Sequence, residues 1–173
     1  MGDIFINDDC LTPYRHIYMT YSGPDPWGVV KQITDSIRGF FHVSASGTSQ
    51  YRLNWDLAGD PILFYSKWWV RKRLANNIDA IIYLWVQGTK SKVDNTGQFT
   101  LRINADVNAK YSGPTFLLQP LWVMYSYLYF NRVRRKFIES CRNYVLNFRN
   151  EIKEHYNLGI TSVPSSGTVF GNW

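Results

Sequence analysis

The stretch Gln98-Phe99-Thr100-Leu101-Arg102-Ile103-Asn104-Ala105-Asp106-Val107-Asn108-Ala109-Lys110 alternates polar and apolar side chains over its whole length. Phe99, Leu101, Ile103, Ala105, Val107 and Ala109 take one side, and the polar residues from Gln98 to Lys110 take the other. Successive strand residues point to opposite faces, so this segment is a strand buried on one side and wet on the other. That pattern belongs to an antiparallel sheet, and another layer of the fold must cover its apolar side.

Working upstream, Gln50–Leu57 alternates in the same way, with Tyr51, Leu53, Trp55 and Leu57 set against Arg52, Asn54 and Asp56. Ile62–Leu74 and Ile78–Gln87 are strand-like runs joined at Asn76-Asn77. Asn tolerates positive φ, so the junction reads as a tight hairpin. A two-residue turn there sets Trp68 opposite Trp85, Trp69 opposite Leu84 and Val70 opposite Tyr83. Apolar side chains on both faces place this hairpin in the middle of the sheet. Tyr14–Tyr21 reads as a first strand. Asp25 is placed to cap a helix with Pro26 in its first turn. Trp27, Val30, Ile33, Ile37, Phe40 and Phe41 then recur at helical spacing.

Downstream, Pro120 opens a helical pattern that runs from Leu121 to about Tyr156. Val133, Phe137, Cys141, Tyr144, Val145, Phe148, Ile152 and His155 form its stripe. The class expected is α+β, an antiparallel sheet against a long C-terminal helix. Residues 1–160 read as one domain and 161–173 as a Ser/Gly/Pro-rich tail.

Length and composition agree with a globular chain. Its 173 residues suffice for one sizeable core, and aromatic residues reach 17%. Tyr and Trp carry a polar tip on a large apolar body, so they suit cavity walls and interfaces as well as cores. Cys10 and Cys141 match no zinc spacing and read as two unrelated reduced thiols. The N-terminal segment carries Asp3, Asp8 and Asp9 with no basic residue before Arg15, unlike a signal peptide, and a cytoplasmic location is expected. Residues 111–131 lack charge, but Pro114, Pro120, Gly113 and several polar residues leave too few apolar positions to span a bilayer.

No catalytic constellation stands out. His16, His42 and His155 have no second ligand at metal spacing, and no metal or other cofactor is expected. Asp56, Asp60 and Asp79 could meet as paired carboxylates only if one end of the sheet gathered them, and turns already account for Asp56 and Asp60. Neither a phosphate-binding Gly-rich loop nor a nucleophile elbow is present.

Charge is more informative. The chain is net +6, and the surplus lies in residues 67–73 and 120–158. On a strand, Lys67, Trp69, Arg71 and Arg73 share one side, the mixture of cation and ring that single-stranded nucleic acid platforms use. Long cationic stems covering apolar surface would explain the same pattern. Arg135, Arg142 and Arg149 recur every seven residues beside Arg132 and Lys136, as on a solvated helix face.

The order of strand Tyr14–Tyr21, helix from Pro26, antiparallel strands through Lys110 and helix from Leu121 resembles the helix-grip fold of START-like proteins, the SRPBCC superfamily. The resemblance is one of topology and covers nearly the whole chain. It implies a strongly curved sheet wrapped around the last helix, with an apolar ligand held between them. The first expectation is thus a non-enzymatic binding protein for a hydrophobic small molecule or lipid. Its walls would be Tyr51, Trp55, Trp69, Tyr83, Trp85, Phe99, Ile103, Trp122 and Tyr125. The alternative is an RNA- or DNA-associated protein using 67–73 and 132–149, through Lys67, Arg71, Arg73, Arg132, Arg135 and Arg142. A third reading docks a protein partner or a membrane surface through 121–130.

Overall fold

The chain alternates short connections with long strands, and both helices serve to cover one face of the sheet they make. The computed structural model describes residues 3–112, 121, 124 and 131–158. In chain order these are β1 (Asp3–Asp9), β2 (Ile17–Pro24), α1 (Gly28–Phe41), a 3-10 turn (Ala45–Gly47), β3 (Thr48–Asp56), β4 (Ile62–Ala75), β5 (Ile78–Lys90), β6 (Thr96–Ser112) and α2 (Asn131–His155). The six strands form one antiparallel sheet, open rather than closed, in the order β1-β6-β5-β4-β3. At 17 residues, β6 is long enough to take two partners along one edge, β2 over 96–103 and β1 over 106–112. The expected first strand, Tyr14–Tyr21, is shifted by three residues to Ile17–Pro24, and a separate strand precedes it. Its sequence, Asp3 to Asp9, carries four polar residues and gains its order from β6 across the sheet, a contact invisible to local propensity.

The alternation of 98–110 is realised as read. Phe99, Leu101, Ile103, Ala105, Val107 and Ala109 are all buried, at most 3% exposed. Phe64, Trp68 and Val70 of β4 and Ala80, Ile82, Leu84 and Val86 of β5 join them on the same side. Both helices cover that side. Val30, Ile33, Ile37 and Phe41 come from α1, and Cys141, Val145, Phe148 and Ile152 from α2. Phe148 lies 5.0 Å from the Phe41 ring and 5.1 Å from that of Phe40, locking the helices together. Gly88 belongs to this side too, and a Cβ there would collide with the Phe64 ring.

Two bulges set the register. Arg73 pairs with Asp79 but Ala75 with Ile78, so Leu74 is an extra residue before the Asn76-Asn77 turn. The pairs expected from a plain two-residue turn are thus off by one: Trp68 faces Leu84, Trp69 faces Tyr83 and Val70 faces Ile82. A one-residue shift moves side chains between faces, so Trp68 and Trp85 lie on opposite sides of the sheet. In β3 the register shifts between Gln50 and Arg52, which places Tyr51 at a bulge with half its surface exposed. Leu53, expected in the core, is exposed as well, because β3 is an edge strand beyond the reach of α2.

Helix ends differ in detail from their sequence signals. Trp27 is the N-cap of α1, without a side-chain cap, while Asp25 takes positive φ (45°) and its carbonyl accepts from the Gly28 N–H at 3.1 Å. Along α2, Val133, Phe137 and Tyr144 are half-buried and His155 is exposed. No described helix is long and apolar enough to cross a membrane.

The cysteines are not independent. Cys10 and Cys141 form a disulfide, with Cα atoms 6.0 Å apart and both residues fully buried. Pairing across 131 positions could not be read from spacing, because it follows from β1 lying along β6 beside α2. Arg142 donates to the carbonyls of Cys10 and Thr12, and Arg134 pairs with Asp8 at 2.6 Å. Together these join the N-terminal strand to the last helix.

Two predictions follow from burial. Ile103→Ala should cost about 2–5 kcal/mol in a chemical melt, whereas Leu53→Ala should stay within about 1 kcal/mol. Equal losses would mean that the faces are assigned wrongly. Cys141→Ser should destabilise by up to about 5 kcal/mol on chain-entropy grounds. An unchanged midpoint for this variant and for reduced wild type would exclude a stabilising bond.

Candidate functional site

The side of the sheet opposite the helices is built from the other half of each alternation, and among the described residues no helix covers it. Cross-strand partners line up there in rows. Arg52 of β3 pairs with Lys67 of β4, Lys67 with Trp85 of β5, Trp85 with Arg102 of β6, and Arg102 with Tyr18 of β2. Five strands thus present Arg, Lys, Trp, Arg and Tyr side by side. The row on one side is Asn54, Tyr65, Gln87, Thr100 and Thr20, and on the other Ser49, Trp69, Tyr83 and Asn104. No acid occurs in these three rows.

Rings and cations interleave rather than segregate. The Arg102 guanidinium lies 4.8 Å from the Trp85 ring centre, whose other neighbour along β5 is the Tyr83 ring, stacked at 5.9 Å. Lys67 Nζ and the Arg52 guanidinium lie 5.3 and 5.9 Å from the Tyr65 ring. Such contacts hold the long side chains up from the sheet while their charges stay accessible. Tyr18, Arg102, Trp85 and Lys67 of the first row, the Asn54–Thr20 row and the row beyond it, which carries Asp56, line a trough of about 1170 Å³.

Arg102 also donates to Nε2 of His16 at 2.9 Å. Arginine accepts no hydrogen bond, so Nε2 carries the lone pair and Nδ1 the proton. His16 titrates below its ordinary range, mainly because of burial and then because of the Arg102 and Arg15 charges. Asp106, farther along β6, titrates above the ordinary carboxylate range through burial and the neighbouring Asp9. Arg71 and Arg73 share Asp79, at 2.5 and 3.8 Å, which offsets the cations nearest the hairpin turn.

The residues proposed from sequence divide between the faces. Trp69, Tyr83 and Trp85 stand on the open face, whereas Trp55, Phe99 and Ile103 point under the helices. There Trp55 packs edge-on against Trp27 at 3.9 Å, and Phe99 against Tyr21 and Tyr156. Tyr51 is at its bulge, and Trp122 and Tyr125 lie outside the described residues. Of 121–130 only Leu121 and Met124 are described, both helical and exposed. The two basic segments do not meet. Lys67, Arg71 and Arg73 are on the open face, while Arg132 and Arg135 are exposed on α2 across the sheet, and Arg142 is held by backbone carbonyls. Asp56, Asp60 and Asp79 do not converge either. Asp56 and Asp60 accept from the N–H groups of Ala58 and Lys92, and Asp79 sits at the opposite end of the hairpin.

Sequence reasoning missed Arg52, Arg102, Tyr65 and His16. Arg102 was visible as one polar residue on a wet face, but its alignment with Lys67 and Arg52 depends on three inter-strand registers. No protein family and no curated protein matches the chain. A solved structure, the Mll3558 protein from Rhizobium loti, aligns with 83% of this chain and 99% of its own at 11% identity and a TM-score of 0.17. That similarity carries no argument.

The His16 shift has a testable sign. The unfolded chain takes up a proton before the folded one, so stability is lost as pH falls through and below the ordinary imidazole range. The melting temperature of wild type should therefore drop between about pH 7 and about pH 5 more than that of His16→Gln. Asp106 acts with the opposite sign, at lower pH. Parallel curves for the two proteins would remove His16 as the cause.

Proposed function

We propose that this chain binds single-stranded nucleic acid on the open face of its sheet. The observation carrying this reading is the five-strand row of Arg52, Lys67, Trp85, Arg102 and Tyr18. Cations along such a row neutralise phosphates, and half-exposed rings offer faces to unstacked bases whatever their sequence. Among the residues that line the trough, Lys67 and Arg102 outnumber the single acid, Asp56. Helices on the far side give the platform a rigid back.

The apolar-ligand reading is favoured less, because Phe99, Ile103, Val145 and Phe148 between sheet and helices are closely packed, at most 1% exposed. We retain a reduced helix-grip arrangement as a proposal for the fold. Its support is the pairing of the N-terminal strands with the last strand and the C-terminal helix laid over the sheet. The cytoplasmic placement is likewise a proposal. The Cys10–Cys141 disulfide weighs against it, because such bonds persist mainly in oxidising compartments.

Fluorescence anisotropy with short single-stranded RNA and DNA tests the reading. Affinity should fall with salt at a log–log slope of about −2, the value for three phosphate contacts. Trp85→Ala and Lys67→Glu should each weaken binding about 5- to 100-fold. A paired Arg132→Glu, Arg135→Glu variant, altered on the opposite side, should bind as wild type. Absence of binding at low salt, or stabilisation by fatty acids but not by oligonucleotides, would exclude the platform.

A further inference from the structure

One edge of the sheet is β3, whose only strand partner among the described residues is β4. Its outer rim therefore presents N–H and C=O groups able to bond a further strand. Natural proteins usually guard such an edge with lysine, proline or a covering element. From Thr48 to Gly59 the chain has neither lysine nor proline. It carries apolar side chains instead. Leu53 pairs with the buried Ser66 and Trp55 with Phe64, so both belong to the helix side of the sheet. Even so, Leu53 is 51% exposed, and Tyr51 and Leu57 to either side are 50% and 58% exposed. Apolar residues in a line along an open edge are what pairing between molecules uses.

We propose that β3 is a contact between two copies of this chain, paired antiparallel about a two-fold axis through Asn54. In a two-fold contact a strand meets its own sequence reversed, so the centre decides every cross-strand pair. Centred on Asn54, Arg52 stands opposite Asp56 of the second copy, and Asp56 opposite its Arg52. Leu53 and Trp55 meet in the same way on the helix side, and Tyr51 comes beside Leu57. Charges thus meet their opposites, and apolar residues meet apolar ones. Centring on Arg52 or on Asp56 would set like charges face to face. Centring on Leu53 or Trp55 would leave both charges opposite neutral residues. Arg52 and Asp56 are exposed on the open side, and only Oδ1 of Asp56 is engaged, by the Ala58 N–H at 3.0 Å. The two sheets then continue as one, with both open faces on the same side. This contact is independent of the nucleic-acid reading, and it leaves Lys67 and Arg102 of each platform clear.

Sedimentation of the full chain at concentrations up to about 100 µM tests the pairing. Wild type should approach twice the mass of the chain as concentration rises. Arg52→Asp sets acid against acid and Asp56→Arg sets base against base, each twice per contact. Either should weaken the dimer about tenfold or more. An equal mixture of the two variants should restore it, because each new side chain then faces the opposite charge on the other variant. Leu53→Lys, altered at an exposed position, should also weaken the dimer, and it serves if a charge variant fails to fold. A wild type that stays monomeric throughout, a dimer that any folded variant leaves intact, or a mixture of the two folded charge variants that stays monomeric would overturn the pairing.

Discussion

Leu74 has no partner across the β4–β5 hairpin, and that one extra residue decides which face each aromatic of the hairpin takes. With the register it sets, Phe64, Trp68 and Val70 lie opposite Gly88, Leu84 and Ile82 and seal the core. Tyr65, Lys67 and Trp69 align instead with Gln87, Trp85 and Tyr83 on the open side. Without the bulge, Trp85 and Tyr83 would face the helices, and Leu84 and Ile82 would face solvent. Core and platform thus depend on the same backbone irregularity.

The helix-covered side is held by more than apolar contact. Lys72, from the core side of β4, donates to the Phe41 carbonyl at the end of α1 and lies 4.7 Å from the Tyr144 ring of α2. Its charge is therefore committed to joining three elements. Arg134 and Arg142 act likewise at the N-terminal strand, beside the Cys10–Cys141 bond. Much of the positive surplus in the C-terminal helix is structural in this sense. A cation count along the chain overstated what that helix offers to a ligand.

On the open side the balance differs. Arg52, Lys67 and Arg102 lean on rings and not on acids, so their charges are oriented but not neutralised. Cation–ring contacts are worth about 0.5–1 kcal/mol at exposed sites, enough to bias a side chain and too little to prevent its engaging a phosphate. Toward the hairpin turn, Asp79 offsets Arg71 and Arg73, and Asp9 and Asp106 bring negative charge. Lys67 and Arg102 thus stand over the trough in the middle of the sheet with their charges unpaired by acids among the described residues.

Alternation along the chain was sufficient by itself for the α+β class, the buried half of β6, the hairpin at Asn76-Asn77 and the apolar faces of both helices, because those features repeat within a dozen residues. It also placed Lys67, Trp69, Arg71 and Arg73 correctly on one side of a strand. Local pattern did not reveal the strand Asp3–Asp9, the Cys10–Cys141 bond, the two bulges, or the row that joins Arg52 to Tyr18 across five strands. Each of these depends on which residues of distant segments lie opposite one another. Registers are set by long-range packing and by single-residue irregularities that leave no periodic trace. The identities of the residues were therefore written in the chain, and only the tertiary structure decided which of them stand together.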